Sequence, residues 1–327
     1  MKFRRILAAV LSCALVATSL MAVTGCDSAK SDENKDSYKV GICQLVQHPA
    51  LDAATEGFKK ALTEKLGDKV TFDEQNASGD SATCTTIVTQ FVASNVDLIM
   101  ANATPALQAA VSATPDIPIL ATSITEYGVA LGIDGFTGKT GINVSGTSDL
   151  APLDKQAAMF KELLPEAKTV GIVYCSNEAN SKYQVDVVKA ELEKLGVTVT
   201  EYSFADSNDI SQVVTKACGE VDALYIPTDN QCANNAELID SIAGPAGIPI
   251  IAGEEGICKG CGIATLSISY STIGYNTGLM AYEILVNGKN PAEMEIEYDN
   301  DPVYEYVSDR CEKLGITVPE NYEAIAE

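Results

Sequence analysis

Tryptophan is absent from this chain, and histidine occurs once, as His48. A lone imidazole cannot build a histidine-rich metal centre, and no second C-x-x-C accompanies Cys258-Lys-Gly-Cys261 to complete a four-thiolate zinc site. Missing too are a nucleophile-elbow G-x-S-x-G, a P-loop, a G-x-G-x-x-G following a strand and an H-E-x-x-H helix, so the residues favour binding over chemistry. Cations are scarce: 22 Lys and Arg stand against 45 Asp and Glu, a formal charge of −23, which disfavours electrostatic binding of nucleic acid or anionic lipid. The chain carries no second apolar run able to span a bilayer beyond the one at its start.

That first run is informative. Lys2, Arg4 and Arg5 precede an apolar stretch, Ile6 to Val23, which is broken by Ser12, Cys13, Thr18 and Ser19 and ends in Val-Thr-Gly-Cys. The pattern is that of a removable signal peptide over residues 1–25, with Cys26 expected as the acylated first residue of a bacterial lipoprotein. Residues 26–37 are polar and lack large apolar groups, so they are expected to be a flexible tether on the outer side of the cytoplasmic membrane. Of ten cysteines, Cys13 would leave with the signal and Cys26 would carry lipid. The other eight, Cys43, Cys84, Cys175, Cys218, Cys232, Cys258, Cys261 and Cys311, are expected to be structural thiols ahead of disulfides or metal ligands.

The remaining length suffices for two domains, and the sequence contains one unit twice. KVGIC, VDLIMANAT and IPILAT in the first half return as TVGIVYC, VDALYIPTD and IPIIAG, with Val40 aligned to Val170, Asp97 to Asp222 and Ile117 to Ile248. Each phrase is a short apolar run stopped by a polar or Gly/Pro turn, with helical patterns between, as in buried parallel strands of βαβ units. The fold class is therefore α/β, with two Rossmann-like, doubly wound lobes. The spacing predicts strands at 39–43, 70–73, 96–101, 118–121 and 140–147, a helix over 153–164 capped by Asp149, and a second alternation from Thr169 that includes a helix over 231–243. An amphipathic helix from Thr272 to Val286 is expected to return to the first lobe. The lobes are thus placed at 38–147 plus 270–295 and at 148–269 plus 296–327, joined by several chain crossings that make a hinge.

Ligands of open parallel sheets collect beyond the carboxyl ends of the strands, so facing lobes define a cleft lined by the residues after each phrase. Thr104-Pro105 opens a helix whose free N–H groups suit a carboxylate. The matching turn of the second lobe, Pro227-Thr228-Asp229-Asn230, carries an acid, and Glu254-Glu255 follow the next strand. Opposed anion and cation sites suit a zwitterion: Thr104 is expected to take a carboxylate, and Asp229, helped by Glu254 or Asn230, an ammonium. The same rule nominates Gln44, Gln47 and His48 in one lobe and the Ser176–Ser181 loop, with Asn180, in the other; Thr147 lies at the end of the strand leaving the first lobe. Tyr127, Tyr174, Tyr183 and Tyr270 are candidates for an apolar wall.

GICQLVQHPALDAATEGF, NATPALQAA, NVSGTSD, SNEANS, YIPTDN and IAGEEG together resemble the substrate-binding lipoproteins of bacterial ABC transporters, in the group with tryptophan- and tyrosine-binding members, over roughly residues 38 to 315. The resemblance implies a type I periplasmic-binding-protein fold and delivery of a ligand, often an aromatic amino acid, to a membrane permease driven by a separate ATPase; the mature protein is expected to be a monomer, with no cofactor and no catalysis. A sensor for a signalling receptor and an importer component for an aliphatic amino acid or other small solute are the alternatives. Cys258 and Cys261 depart from the group, which would have Gly or Asn in that turn.

Overall fold

The apolar runs of the first half become the parallel strands β1 (Tyr38–Gln44), β2 (Val70–Asn76), β3 (Leu98–Asn102), β4 (Ile119–Ile124) and β5 (Val144–Ser148) in a computed structural model, which describes residues 35–326. The expected signal peptide, the acylated Cys26 and most of the tether lie outside the described residues. Helices α1 (Pro49–Leu66), α2 (Ser81–Ala93), α3 (Thr104–Ala113) and the short α4 (Tyr127–Leu131) join these strands, which pair in the order β2-β1-β3-β4-β5. Helix α5 (Leu153–Leu163) then leads into the second sheet, where β6 (Thr169–Cys175), β7 (Thr198–Phe204), β8 (Ala223–Ile226), β9 (Ile250–Ala252) and β10 (Ala264–Ser267) pair as β7-β6-β8-β9-β10, the same winding repeated. Its helices are α6 (Ala179–Lys194), α7 (Ile210–Cys218), α8 (Asn230–Asn234), α9 (Ala236–Ala246) and α10 (Glu255–Cys261). This is the two-lobed, doubly wound α/β architecture that the repeated phrases lead one to expect.

The repeated Asp of the VD phrases has a structural role in both lobes. Asp97 accepts the Lys39 N–H at 2.8 Å, and Asp222 accepts the Lys168 and Thr169 N–H groups at 2.9 Å each, so each carboxylate pins the start of the neighbouring strand. The strands behind them are apolar on both faces; Val40, Ile42, Leu98, Val170, Ile172 and Leu224 are fully buried. That is the demand of a parallel sheet covered by helices on both sides.

The chain crosses between the lobes three times. It leaves the first sheet after β5, and it returns after β10 into α11 (Tyr270–Leu285), which lies against α1, β4 and β5. It leaves again after β11 (Glu297–Tyr298) for β12 (Val303–Tyr306), α12 (Ser308–Leu314) and β13 (Glu323–Ala324) of the second sheet. Strand β11 pairs with β5 through Glu297↔Thr147 and Tyr298↔Ser148, so residues 297–298 belong with the first sheet, and the expected boundary at 295 is corrected by three residues. The crossings are tied to one another: Tyr270 Oη donates to Asp149 at 3.0 Å and Ser269 N–H to Asp299 at 2.9 Å.

Two local expectations fail for identifiable reasons. The single helix over 231–243 is two helices, because Asn235 breaks from helical geometry at φ −119°, ψ 21° and its side chain donates back to the Gln231 carbonyl. Cys258 and Cys261 lie not in a turn but on the buried face of α10, whose C-terminal carbonyls are gathered by Arg310: the guanidinium donates to Cys258, Lys259, Gly260 and Gly262 and to Asp240. All eight described cysteines are free thiols, and only Cys218 is partly exposed. Brief treatment of the native protein with a maleimide, read by peptide mass spectrometry, is therefore expected to label Cys218 first among them, the other seven reacting only on unfolding; early labelling of Cys258 or Cys261 would contradict their placement.

Candidate functional site

Because both sheets wind alike, the carboxyl ends of β1, β3 and β4 face those of β6, β8 and β9 across a cleft. Within it lies a cavity of about 10 Å³, bounded from the first lobe and the crossings by His48, Leu51, Ser123, Asp149 and Tyr270, and from the second lobe by Asn180, Thr228, Asp229, Asn230, Ala233 and Glu254. That volume holds about one water molecule. His48, Ala233, Glu254 and Tyr270 also border a groove of about 1260 Å³ that opens to solvent. The lobes touch directly: His48 Nε2 and Asn230 Oδ1 are 3.3 Å apart, the Thr125 and Thr228 hydroxyls 3.5 Å, and Gln231 Nε2 donates to the Gly79 carbonyl at 3.3 Å.

A buried polar atom without a partner costs about 1–3 kcal/mol, so such atoms are rare and call for an explanation. Six occur among the described residues, and four of them belong to residues that line this one cavity: His48 Nδ1, Ser123 Oγ, Asp149 Oδ1 and Asn180 Oδ1. Asp149 is the charged member. Its Oδ2 accepts the Tyr270 hydroxyl at 3.0 Å, Oδ1 has no protein partner, and burial pushes the carboxyl up to about 6. Burial and the nearby Asp149 hold the Tyr270 phenol well above its usual value, so it remains a donor. The expected cap role of Asp149 is corrected: α5 is preceded by Pro152 with no side-chain cap, while Asp149 sits at the first chain crossing and turns into the cleft.

The acids of the second lobe are engaged at home. Asp229 Oδ2 accepts Cys175 N–H and Ser181 Oγ–H, both at 2.7 Å, and Oδ1 accepts Cys232 N–H at 2.9 Å, capping α8. Glu178 reaches the same helix end, accepting Asn230 N–H at 3.1 Å, the Asn230 side-chain amide at 2.6 Å and Gln231 N–H at 3.1 Å. Glu254 caps α10 through Gly256 and Ile257 N–H groups. Burial raises all three, Glu254 to about 7, and Glu178 is raised further by the Asp229 charge beside it. Asn180 and Asn230 complete this wall, and burial pushes His48, against Asn230, below the usual imidazole value.

The first-lobe candidates divide. His48 lines the cavity, and Gln47 is exposed on the groove. Thr104 is the first residue of α3 and buried, but the cap position is Ala103 and no side chain caps that helix; Ala103 takes φ 88°, and Ser123 takes φ 57° where the β4–β5 ladder slips between Ala121 and Ile124. Left-handed backbone at two non-glycine residues, both at strand ends on the cleft, is local strain of the kind stored at binding sites. Thr147 is displaced from the candidate set: its hydroxyl lies 3.1 Å from Thr122, 2.9 Å from Thr277 and 3.3 Å from the Ile273 carbonyl, beneath α11 and away from the cavity. Of the four tyrosines only Tyr270 reaches the cavity; Tyr127 donates to the Ala121 and Thr147 carbonyls in the core, and Tyr174 to Glu201. Ser123 and Asp149 line the cavity and were not nominated as site residues from the sequence. Asp149 follows a strand just as Asp229 does, which is the signal that nominates it.

Residues 39–327 match the family of ABC transporter substrate binding proteins. A protein of Clostridioides difficile (strain R20291) named tyrosine-binding protein is 39% identical over 307 residues, 90% of this chain and 88% of that protein. Among solved structures, a Streptococcus pneumoniae ABC domain in complex with L-Trp superposes with a TM-score of 0.84 at 33% identity, covering 88% of this chain and 100% of that one. The ligand-free, open structure of a Clostridium difficile substrate binding protein with adhesive properties is more alike in sequence, 40%, over 88% and 99% of the two chains, yet superposes less well, at 0.67. The closer fit to the L-Trp complex than to the open form accords with the direct contacts that close the cleft here.

Proposed function

The chain belongs to the ABC transporter substrate binding protein family, and from that membership we propose that it captures an aromatic amino acid, L-tyrosine or L-tryptophan, between its lobes for delivery to a membrane permease. The observation that carries this reading is the convergence of four unpaired buried polar atoms on one interlobe cavity. Asp149 Oδ1 is the acceptor for the ammonium. The ligand carboxylate turns to the first lobe, to the Ser123 hydroxyl and the N-terminus of α3 at Thr104, where unbonded N–H groups and the helix dipole favour an anion. Tyr270 and Leu51 supply apolar surface, and His48, Asn180 and Asn230 supply neutral hydrogen-bonding groups. Asp229 and Glu254 hold the second-lobe wall in place and set its negative potential.

A cavity of about 10 Å³ lies far below the roughly 300 Å³ at which small-molecule pockets begin, so capture requires the lobes to part and close again about the three crossings. The 39% identity with the tyrosine-binding protein and the closer fit to the L-Trp complex favour an aromatic side chain over an aliphatic one. Lipid anchoring through Cys26 outside the cytoplasmic membrane, a permease with its ATPase as partners, and a monomeric state complete the reading.

A thermal-shift and calorimetric screen tests it. L-Tyrosine or L-tryptophan at a hundredfold excess over Kd is expected to add about 2.7 kcal/mol of stability. Leucine is expected to do less, and glucose nothing. Binding of a sugar or nucleoside with no response to any amino acid would overturn the proposal.

A further inference from the structure

Carboxylates crowd the cleft without a cation to balance them. Asp149, Asp229 and Glu254 bound the cavity, and Glu178 stands directly behind Asn180 and Asn230. No lysine or arginine bounds it among the described residues, and none of the ion pairs formed by those residues includes any of these four acids. The groups facing Asp149 are the Tyr270 phenol from α11, the Tyr127 phenol from α4, the His48 imidazole ahead of α1 and the Glu254 carboxyl ahead of α10. None of them carries a fixed positive charge, and burial disfavours the charged form of His48. Several like charges in a buried site cannot all remain ionised; the site relieves them by taking up a proton or a cation.

We propose that ligand capture here is proton-linked: with no ligand bound, the closed cleft shares a proton among Asp149, Glu254 and the Glu178–Asp229 pair, and the entering ammonium displaces that proton to solvent. The inference rests on the ammonium reading of the cleft given above. Geometry carries it, because Asp149 Oδ1 offers the same lone pair to a proton and to an N–H⁺ donor, and cannot serve both.

The direction with pH follows. Asp149 at about 6 and Glu254 at about 7 both lie above ordinary carboxyl values, so from about pH 4 to 7 the folded protein without ligand binds protons that the unfolded chain has released. The stability this contributes is greatest at the acid end and is lost as pH rises through the folded values. An ammonium restores it, so stabilisation by the ligand grows across the same window.

Titration calorimetry of L-tyrosine into the whole protein, in two buffers of different ionisation enthalpy at pH 5, 6, 7 and 8, is the test. Near pH 6 about half a proton or more is expected to be released per ligand bound, declining towards pH 8, and Kd is expected to weaken about tenfold for each pH unit below about 6. Equal enthalpies in both buffers with a Kd flat from pH 5 to 8 would overturn the linkage while leaving the ligand assignment standing. Whatever its affinity, the His48→Gln variant saturated with L-tyrosine is expected to release the same number of protons per ligand bound; loss of the release at saturation would assign the proton to the imidazole and overturn the proposal. Should L-tyrosine not bind at any pH, the ligand assignment fails and melting without ligand decides. Wild type is then expected to lose more thermal stability from pH 5 to 8 than Asp149→Asn, and equal losses would overturn the linkage.

Discussion

Replacing Asp149 with Asn is expected to weaken capture of L-tyrosine by about 30-fold or more at pH 8, while the protein still folds. Removing one partner of a buried charge-assisted contact costs roughly 2–5 kcal/mol, and 2 kcal/mol is about 30-fold in affinity. Folding survives because the Tyr270 hydroxyl that donates to Asp149 can equally be accepted by an amide oxygen. The deaminated analogue, 3-(4-hydroxyphenyl)propionate, separates the role of the carboxylate from that of the cavity's shape. Lacking an ammonium, it is expected to bind Asp149→Asn at least as well as wild type. An equal fractional loss for both ligands would move the amine contact to another acid, with Asp229 and Glu254 next in line. Those two are distinguishable in advance: Asp229 receives three donors from its own lobe, so Asp229→Asn loses stability along with any loss of affinity.

The second large effect is expected at Gly274, where α11 crosses α1. A Cβ added there would lie 2.0 Å from the Ala54 carbonyl oxygen and 2.7 Å from the Ala54 carbonyl carbon. The neighbouring turns are as tight, since a Cβ on Gly57 would meet the Ser271 carbonyl oxygen at 2.4 Å and one on Gly278 the Phe58 carbonyl oxygen at 2.5 Å. Backbone is pressed on backbone, and no rotamer change relieves a side chain in that seam. Gly274→Val is therefore expected to cost about 3 kcal/mol or more, at the upper end of overpacking penalties. It is also expected to weaken ligand binding, because α11 begins at Tyr270 and carries that hydroxyl to Asp149. Gly244→Ala, where the nearest atom to the new Cβ would be 3.6 Å away, is the matched control. Urea midpoints for the three proteins check the point; an unchanged midpoint for Gly274→Val would show that the helices stand further apart.

The repeated phrases made the two lobes legible, because a buried parallel strand needs an unbroken apolar run and each run recurred in order. What they could not convey was side-chain destiny at the strand ends. Asp149 and Asp229 both follow a strand and both precede a helix, and either can cap. The choice was decided by the backbone at Pro152, which takes over the start of α5, and by the Cys175 and Cys232 N–H groups, which claim Asp229. Thr147 was misjudged for a related reason: strand alternation tells which face a residue occupies but not which helix covers it, and α11, arriving more than a hundred residues later, covers that face. Ser123 was invisible because a slipped ladder and a left-handed serine leave no mark in composition.

The three direct polar bridges across the cleft, His48 to Asn230, Thr125 to Thr228 and Gln231 to Gly79, are all between uncharged groups and all long, 3.3 to 3.5 Å. A neutral hydrogen bond contributes about 0.5–1.5 kcal/mol net, so this latch is worth only a few kcal/mol together. A latch that weak cannot by itself commit the protein to one shape, and a ligand spanning both lobes tips the balance by its differential affinity alone. On the proposed reading, the shape presented to a membrane permease is then a readout of occupancy, and a weak latch is what keeps that readout faithful.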